Sequence, residues 1–152
     1  MTLTGAVAAV SITTLRTASA RAICRAFAAW GRGKGSIYDL MDADAQIVIS
    51  GTSPHCGTFS KAAFLREVAG PFMARFAEPP VPQLRTLLGN VDSVVVLADA
   101  TGTTRDGQAY ANDYVFVFEM AGRRVTRVVE FLDMAAFNAV WDRVEPAPIH
   151  AR

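Results

Sequence analysis

Polar and apolar positions alternate most sharply between residues 110 and 132. Tyr110, Asn112, Tyr114, Phe116 and Phe118 take every second position, with Ala111, Asp113, Val115, Val117 and Glu119 between them. Strand side chains alternate faces, so this period of two predicts a long strand with aromatic rings along one face. Ala121, Gly122 and Arg123 predict a tight turn, because Gly122 can take a positive φ. A second strand follows from Val125 to Leu132. The alternation puts Thr126, Val128, Glu130 and Leu132 on one face, and Val125, Arg127, Val129 and Phe131 on the other. Glu130 is the anomaly on a largely apolar face. Glutamate is rarely fully buried without a partner, so its position needs a chemical reason.

Before this hairpin the period is helical. Ala22, Ile23, Ala26, Phe27 and Trp30 predict a helix over 18–30, ended by Gly31, Arg32 and Gly33. Ser36 is placed to cap a short helix over 37–41, and Asp42, Ala43 and Asp44 lead into a strand over 46–50. Residues 51–58 form a loop rich in turn formers. Ser60 caps a helix running to about Phe76, striped with Phe64, Leu65, Val68, Phe72 and Phe76 and broken or kinked at Gly70-Pro71. Residues 78–82, with three prolines, read as a stiff extended connector. Strands are expected over 83–88 and 93–98, with residues 101–108 as the loop before the long hairpin. Asp133 caps a last helix over 134–143.

The chain of 152 residues fits one domain, expected over residues 18–145, with an extension at 1–17 and a tail at 146–152. Composition narrows the partners. A net charge of +1, scattered along the chain, is no basic surface for nucleic acid, and there is no polybasic or 18-residue apolar segment for a membrane. Ala18-Ser19-Ala20 has the look of a leader-peptide cleavage site, but no basic residue precedes the short apolar run before it. The expected location is cytoplasmic. Cys24 and Cys56 then read as two free thiols in a reducing compartment. No group of residues has metal-ligand spacing, His55 and His150 being far apart, and no cofactor is implied.

The order is helix, short helix, strand, helix, then four antiparallel strands. Together with Phe27-Ala-Ala-Trp30-Gly-Arg-Gly33, Gly51-Thr-Ser-Pro54 with Gly57-Thr58, Tyr110-x-Asn112-x-Tyr114, and Gly122 followed by Glu130-Phe-Leu-Asp133, it resembles the nuclear transport factor 2-like superfamily. Within it the chain is similar to the SnoaL-like, ketosteroid-isomerase-related branch. The resemblance covers about residues 18–144. It implies an α+β fold in which a cone-shaped, curved, mixed or antiparallel sheet wraps about three helices around a pocket. It also implies a homodimer formed through the sheet. Members include isomerases, polyketide cyclases, epoxide hydrolases, dehydratases and non-catalytic binders, so fold alone does not give function.

Carried over residue by residue, the resemblance is incomplete. The base of ketosteroid isomerases falls near Ile49 or Ser50 and their first-helix tyrosine near Ala26, so both are missing. Their protonated acid falls at about Tyr114. The last-strand acid of limonene-type epoxide hydrolases matches Glu130, but their other acid and arginine fall near Val95 and Ser93.

The residues themselves point to Glu130 as a proton-transfer group, if apolar neighbours raise its pKa. A structural carboxylate held by an arginine or by tyrosines is the alternative. Asn112 and Tyr114 share its side of the hairpin and are candidates for holding a substrate or polarising its carbonyl, with Val128 and Phe116 as apolar lining. Tyr110 fits the core better. His55, in the loop beside Pro54, could border the pocket mouth or be exposed, and Tyr38 could reach the pocket or pack in the core. The expected ligand is a small apolar molecule of steroid, terpene or polyketide type. An acid/base isomerase, cyclase or hydrolase stands first; a non-catalytic binding or dimerisation module is the alternative.

Overall fold

The computed structural model describes residues 17–148. Within them α1 (Ala18–Gly31) is followed by a 3₁₀ turn (Ile37–Leu40), then β1 (Met41–Ile49) and β2 (Gly57–Ser60). Two helices, α2 (Lys61–Phe64) and α3 (Gly70–Met73), run on through a π-helical turn (Leu65–Ala69). The rest is β3 (Phe76–Glu78), β4 (Gln83–Gly89), β5 (Ser93–Thr104), β6 (Ala109–Ala121), β7 (Arg124–Leu132) and α4 (Met134–Arg143). The expected extension at 1–17 and the possible leader at 1–20 lie almost wholly outside the described residues, as does the end of the tail.

All seven strands join one curved, unclosed sheet in the order β2-β1-β7-β6-β5-β3, with β4 also paired to β5. The fold is α+β and the sheet is mixed: β1 runs parallel to β7 and the other pairs are antiparallel. The helices lie in its concave side. Phe27 of α1 meets Phe116 and Phe118 of β6 edge-on, with centroids 5.6 and 6.4 Å away. Phe72 of α3 stacks on Phe137 of α4 at 4.1 Å.

Several expected boundaries shift, each for a local reason. β5 runs on to Thr104, since its register with β6 continues unbroken down to Thr103 opposite Ala109. The turn is therefore four residues, and Asp99 lies within β5 and pairs with Arg85 of β4. β1 starts at Met41 because Met41 already pairs with Val125. Phe76 leaves the helix to pair with Thr104. Val125 changes face. Glu119 pairs with Arg127 but Met120 with Val125, so Thr126 is the extra residue of a β-bulge. Val125 is consequently in the core and Thr126 exposed, the reverse of strict alternation.

The two faces of the central strands differ in kind. Inward, β6 carries Tyr110, Asn112, Tyr114, Phe116 and Phe118. Outward, Leu97 pairs with Val115 and Val115 with Phe131, while Val95 pairs with Val117 and Val117 with Val129. That outer ladder is apolar, and Leu97 and Phe131 are 42% and 46% exposed.

The π-helical turn forms one wall of the concave side and depends on Gly70. Its N–H donates to the carbonyl of Leu65, and a β-carbon there would stand 2.7 Å from that same oxygen. Gly70→Ala is expected to lower stability by roughly 1–3 kcal/mol, the usual cost of overpacking. Denaturant unfolding of the two proteins measures it.

Candidate active site

Glu130 sits near the middle of the sheet. It pairs with Phe116 on one side and Ile49 on the other, and its carbonyl accepts from the N–H of Ser50 at 2.9 Å. The backbone is thus held from both neighbours, and the side chain must point into the concave side. There it is 5% exposed. It borders a cavity lined mainly by Trp30, Ile49, Phe64, Val68, Phe72, Phe116, Leu132, Met134 and Phe137, with Pro80 and Pro82 from the connector. Besides the indole of Trp30, the polar side chains in this lining are Tyr38, Tyr114 and Glu130.

Tyr38 reaches Glu130 from the 3₁₀ turn. Ser36 caps that turn, its hydroxyl accepting from the N–H of Tyr38 while Asp39 accepts from the N–H of Ser36 at 2.8 Å. The ring is wedged between Trp30 and Phe64, at 5.8 and 5.3 Å. Its hydroxyl donates to Oε1 of Glu130 at 3.4 Å. Tyr114 stacks on Phe116 at 5.7 Å, and its hydroxyl lies 3.1 Å from that of Tyr110.

No ion pair among the described residues involves Glu130. Burial therefore acts on the carboxyl almost unopposed and pushes its pKa up to about 7, the bond from Tyr38 pulling the other way. Burial and the nearby carboxylate push Tyr38 up, and burial pushes Tyr114 far above an ordinary phenol. Near neutrality the site holds one group that changes charge and two hydroxyls that stay neutral.

The space not filled by protein atoms is about 540 Å³ with its mouth included, but a water molecule's centre has only about 50 Å³ in which to move. That is room for a few waters, and about a third of a cavity that takes benzene. A ring-sized ligand therefore needs lining side chains such as Met73 and Met134 to give way, which the unbranched thioether can do.

The structure brings Glu130, Tyr38, Tyr114 and Phe116 to one cavity. Three other residues grouped with them by sequence lie elsewhere. Asn112 is buried, but its amide is bound to the backbone of Asp133 and to Tyr110. Val128 is fully buried core outside the lining. His55 packs on Trp141 at 4.1 Å and Phe137 at 5.5 Å rather than opening to the cavity, and burial lowers its pKa. Tyr110 is core, as its position at the strand start suggested, with its hydroxyl satisfied locally. Asp133 caps α4, accepting from the N–H groups of Ala135 and Ala136. The sequence did not single out Trp30, Phe64 and Phe72 as cavity residues, although their helical spacing already placed them inside.

A mixed, curved, unclosed sheet wrapped over helices around such a cavity is the nuclear transport factor 2-like fold. No family sequence model matches the chain, and no curated protein matches it in sequence. Solved structures do. A nuclear transport factor 2-like protein from Burkholderia thailandensis superposes with a TM-score of 0.66 at 17% identity, over 84% of this chain and 98% of that one. TerC, crystallised with polyporic acid, gives 0.66 at 20% identity over 83% and 99%. A candidate SnoaL-like polyketide cyclase from Jannaschia sp. CCS1 gives 0.62 at 17% over 86% and 94%.

Burying an ionisable acid ties stability to pH. With the folded pKa raised from 4.5 to about 7, the folded state holds the proton more tightly than the unfolded chain. Stability is then highest below pH 4.5 as far as this group goes, and falls as pH rises to about 7, by roughly 3 kcal/mol. Glu130→Gln is expected to remove most of that slope and to be the more stable protein at pH 8. Thermal melts across pH 5 to 8 check both statements.

Proposed function

We propose that the protein is a small-molecule enzyme in which Glu130 moves a proton on an apolar carbonyl compound. The observation that carries this reading is a carboxyl buried in an apolar cavity with no cationic partner among the described residues, where burial pushes its pKa up to about 7. Such an acid costs stability, and a value near the working pH suits proton transfer. As carboxylate, Glu130 takes a proton from the carbon next to the carbonyl. The C–H electron pair forms the new C=C bond and the carbonyl π electrons move to oxygen. A neutral tyrosine hydroxyl, best supplied by Tyr114, stabilises that oxygen. The carboxylic acid then returns the proton at another atom. Isomerisation and cyclisation share this step. The crystallisation of TerC, similar in fold, with polyporic acid supports a ligand of planar, oxygenated type.

A second reading is favoured by the limited room in the cavity: a non-catalytic binding or dimerisation module. Both readings accommodate a homodimer. The outer ladder of Leu97, Val115, Phe131, Val95, Val117 and Val129 can meet a copy of itself across a two-fold axis, as isologous interfaces require.

On a panel of cyclic ketones and polyketide-like compounds, Glu130→Gln is expected to lose at least about 10²-fold in turnover with its fold intact. Turnover by the native protein is expected to rise between pH 6 and 8 as the carboxylate forms. Full activity in the variant would sink the reading; ligand retained by the native protein without change would favour the second. For the dimer, Phe131→Arg is expected to turn a two-chain species into a monomer in sedimentation equilibrium. A native protein already monomeric would end that part.

A further inference from the structure

This inference rests on the reading of the cavity as a carbonyl site and adds how one hydroxyl in it is oriented. It begins at a backbone. The N–H of Asp133 donates to Oδ1 of Asn112 at 2.9 Å, so the other end of that side chain is the amide nitrogen. That nitrogen donates to the carbonyl of Asp133 at 3.0 Å and to the hydroxyl oxygen of Tyr110 at 2.8 Å. The direction of the Asn112–Tyr110 bond is therefore fixed.

Tyr110 is 4% exposed. Its oxygen accepts from Asn112 and its own hydrogen needs an acceptor. Among the described residues that acceptor is the hydroxyl oxygen of Tyr114, 3.1 Å away. Accepting a bond makes a hydroxyl the stronger donor, which sets the same direction. The opposite arrangement would have Tyr110 accept twice and would strand its buried hydrogen. Once Tyr114 accepts from Tyr110, its own hydrogen is left for the cavity it lines. The chain has three tyrosines, and the hydroxyl of Tyr38 is already given to Glu130.

We propose that Asn112 and Tyr110 are positioning residues that commit the Tyr114 hydroxyl to donating into the cavity, so that the site takes a ligand presenting a carbonyl oxygen to Tyr114. The array starts at the junction of β7 and α4 and runs along the inner face of β6. It reads the ligand without Glu130 and without a charge.

Cyclopentanone is a compact carbonyl probe that enters, as any ring must, when Met73 and Met134 give way, and its infrared C=O band reports hydrogen bonding directly. Bound to the native protein, the band is expected at lower frequency than in hexane. Tyr114→Phe should return it to the hexane position and weaken binding about tenfold, the worth of one hydrogen bond. In Asn112→Asp the carboxylate accepts from Tyr110 and cannot donate to it. Tyr110 then turns to residue 112, Tyr114 donates to Tyr110, and the band moves back towards hexane. Because a buried carboxylate can block folding, Tyr110→Phe is the companion variant; it should reduce the shift without removing it. A merely structural role for Asn112 or Tyr110 would leave the band of bound ketone where it was. An unchanged band in Tyr110→Phe and in any folded Asn112→Asp, or no binding of cyclopentanone by the native protein, would overturn the proposal. Glu130→Gln separates it from the catalytic reading: the shift should persist there even if no ketone is ever turned over.

Discussion

The site depends on the cost of removing one carboxyl from water. Glu130 cannot avoid that cost by moving, because its backbone is paired to β1 and β6 at once. Only two reliefs remain for a carboxyl so held: keeping its proton, or receiving hydrogen bonds. Both are present, as a pKa near 7 and a bond from Tyr38. The 3₁₀ turn that delivers Tyr38 can be understood from the same cost. Ser36 and Asp39 fasten the turn, and Trp30 and Phe64 fix the ring, so a phenol stands where the acid needs a donor.

The second polar element of the concave side obeys the same rule without any charge. Tyr110 and Asn112 lie on the inward face of β6, where an unpaired hydroxyl or amide would be costly. Each is satisfied by the next, ending in the backbone of Asp133. The network therefore spans two elements, tying the start of β6 to the start of α4. Tyr114 is where this neutral network reaches the cavity. Acid and hydroxyl enter the same apolar space from separate supports, so a change in one support leaves the other in place.

Much of this was legible in the chain. Alternation through Tyr110–Phe118 gave the inner face of β6, Gly122 gave the hairpin, with its φ of +61°, and Glu130 stood out as an acid among apolar neighbours. What alternation could not carry was a change of register. The bulge at Thr126 moves Val125 inward because one extra residue resets the period, and no side chain there announces it. Strand ends were misjudged for a related reason. β5 continues through Thr101 and Gly102 because β6 pairs with it, a long-range fact that turn-forming residues conceal. Asn112 was grouped with the cavity by its face alone. Its partners lie 21 residues on, at Asp133, and only the fold brings them together. Tyr38 posed the opposite problem, since one tyrosine on a short turn fits core or cavity until its neighbours are known.

The absences are as informative as the groups present. Where the resemblance implies a base, Ile49 lines the cavity beside Glu130; where it implies a second acid and an arginine, the chain has Val95 and Ser93. On β5 the buried residues beside these two positions are Val94 and Val96, so a shift of one position along the strand restores no polar group. Of the three polar groups in the cavity, Glu130 alone changes charge near neutrality, since burial keeps the two phenols neutral at any ordinary pH. Opening an epoxide with water asks for a base on the water and an acid on the departing oxygen in the same step, which one carboxyl cannot supply. A reaction in which the same group takes a proton from carbon and later gives it back needs no second acid. Within the proposed function, then, the physical contents of the cavity favour isomerisation or ring closure of a carbonyl compound over hydrolysis.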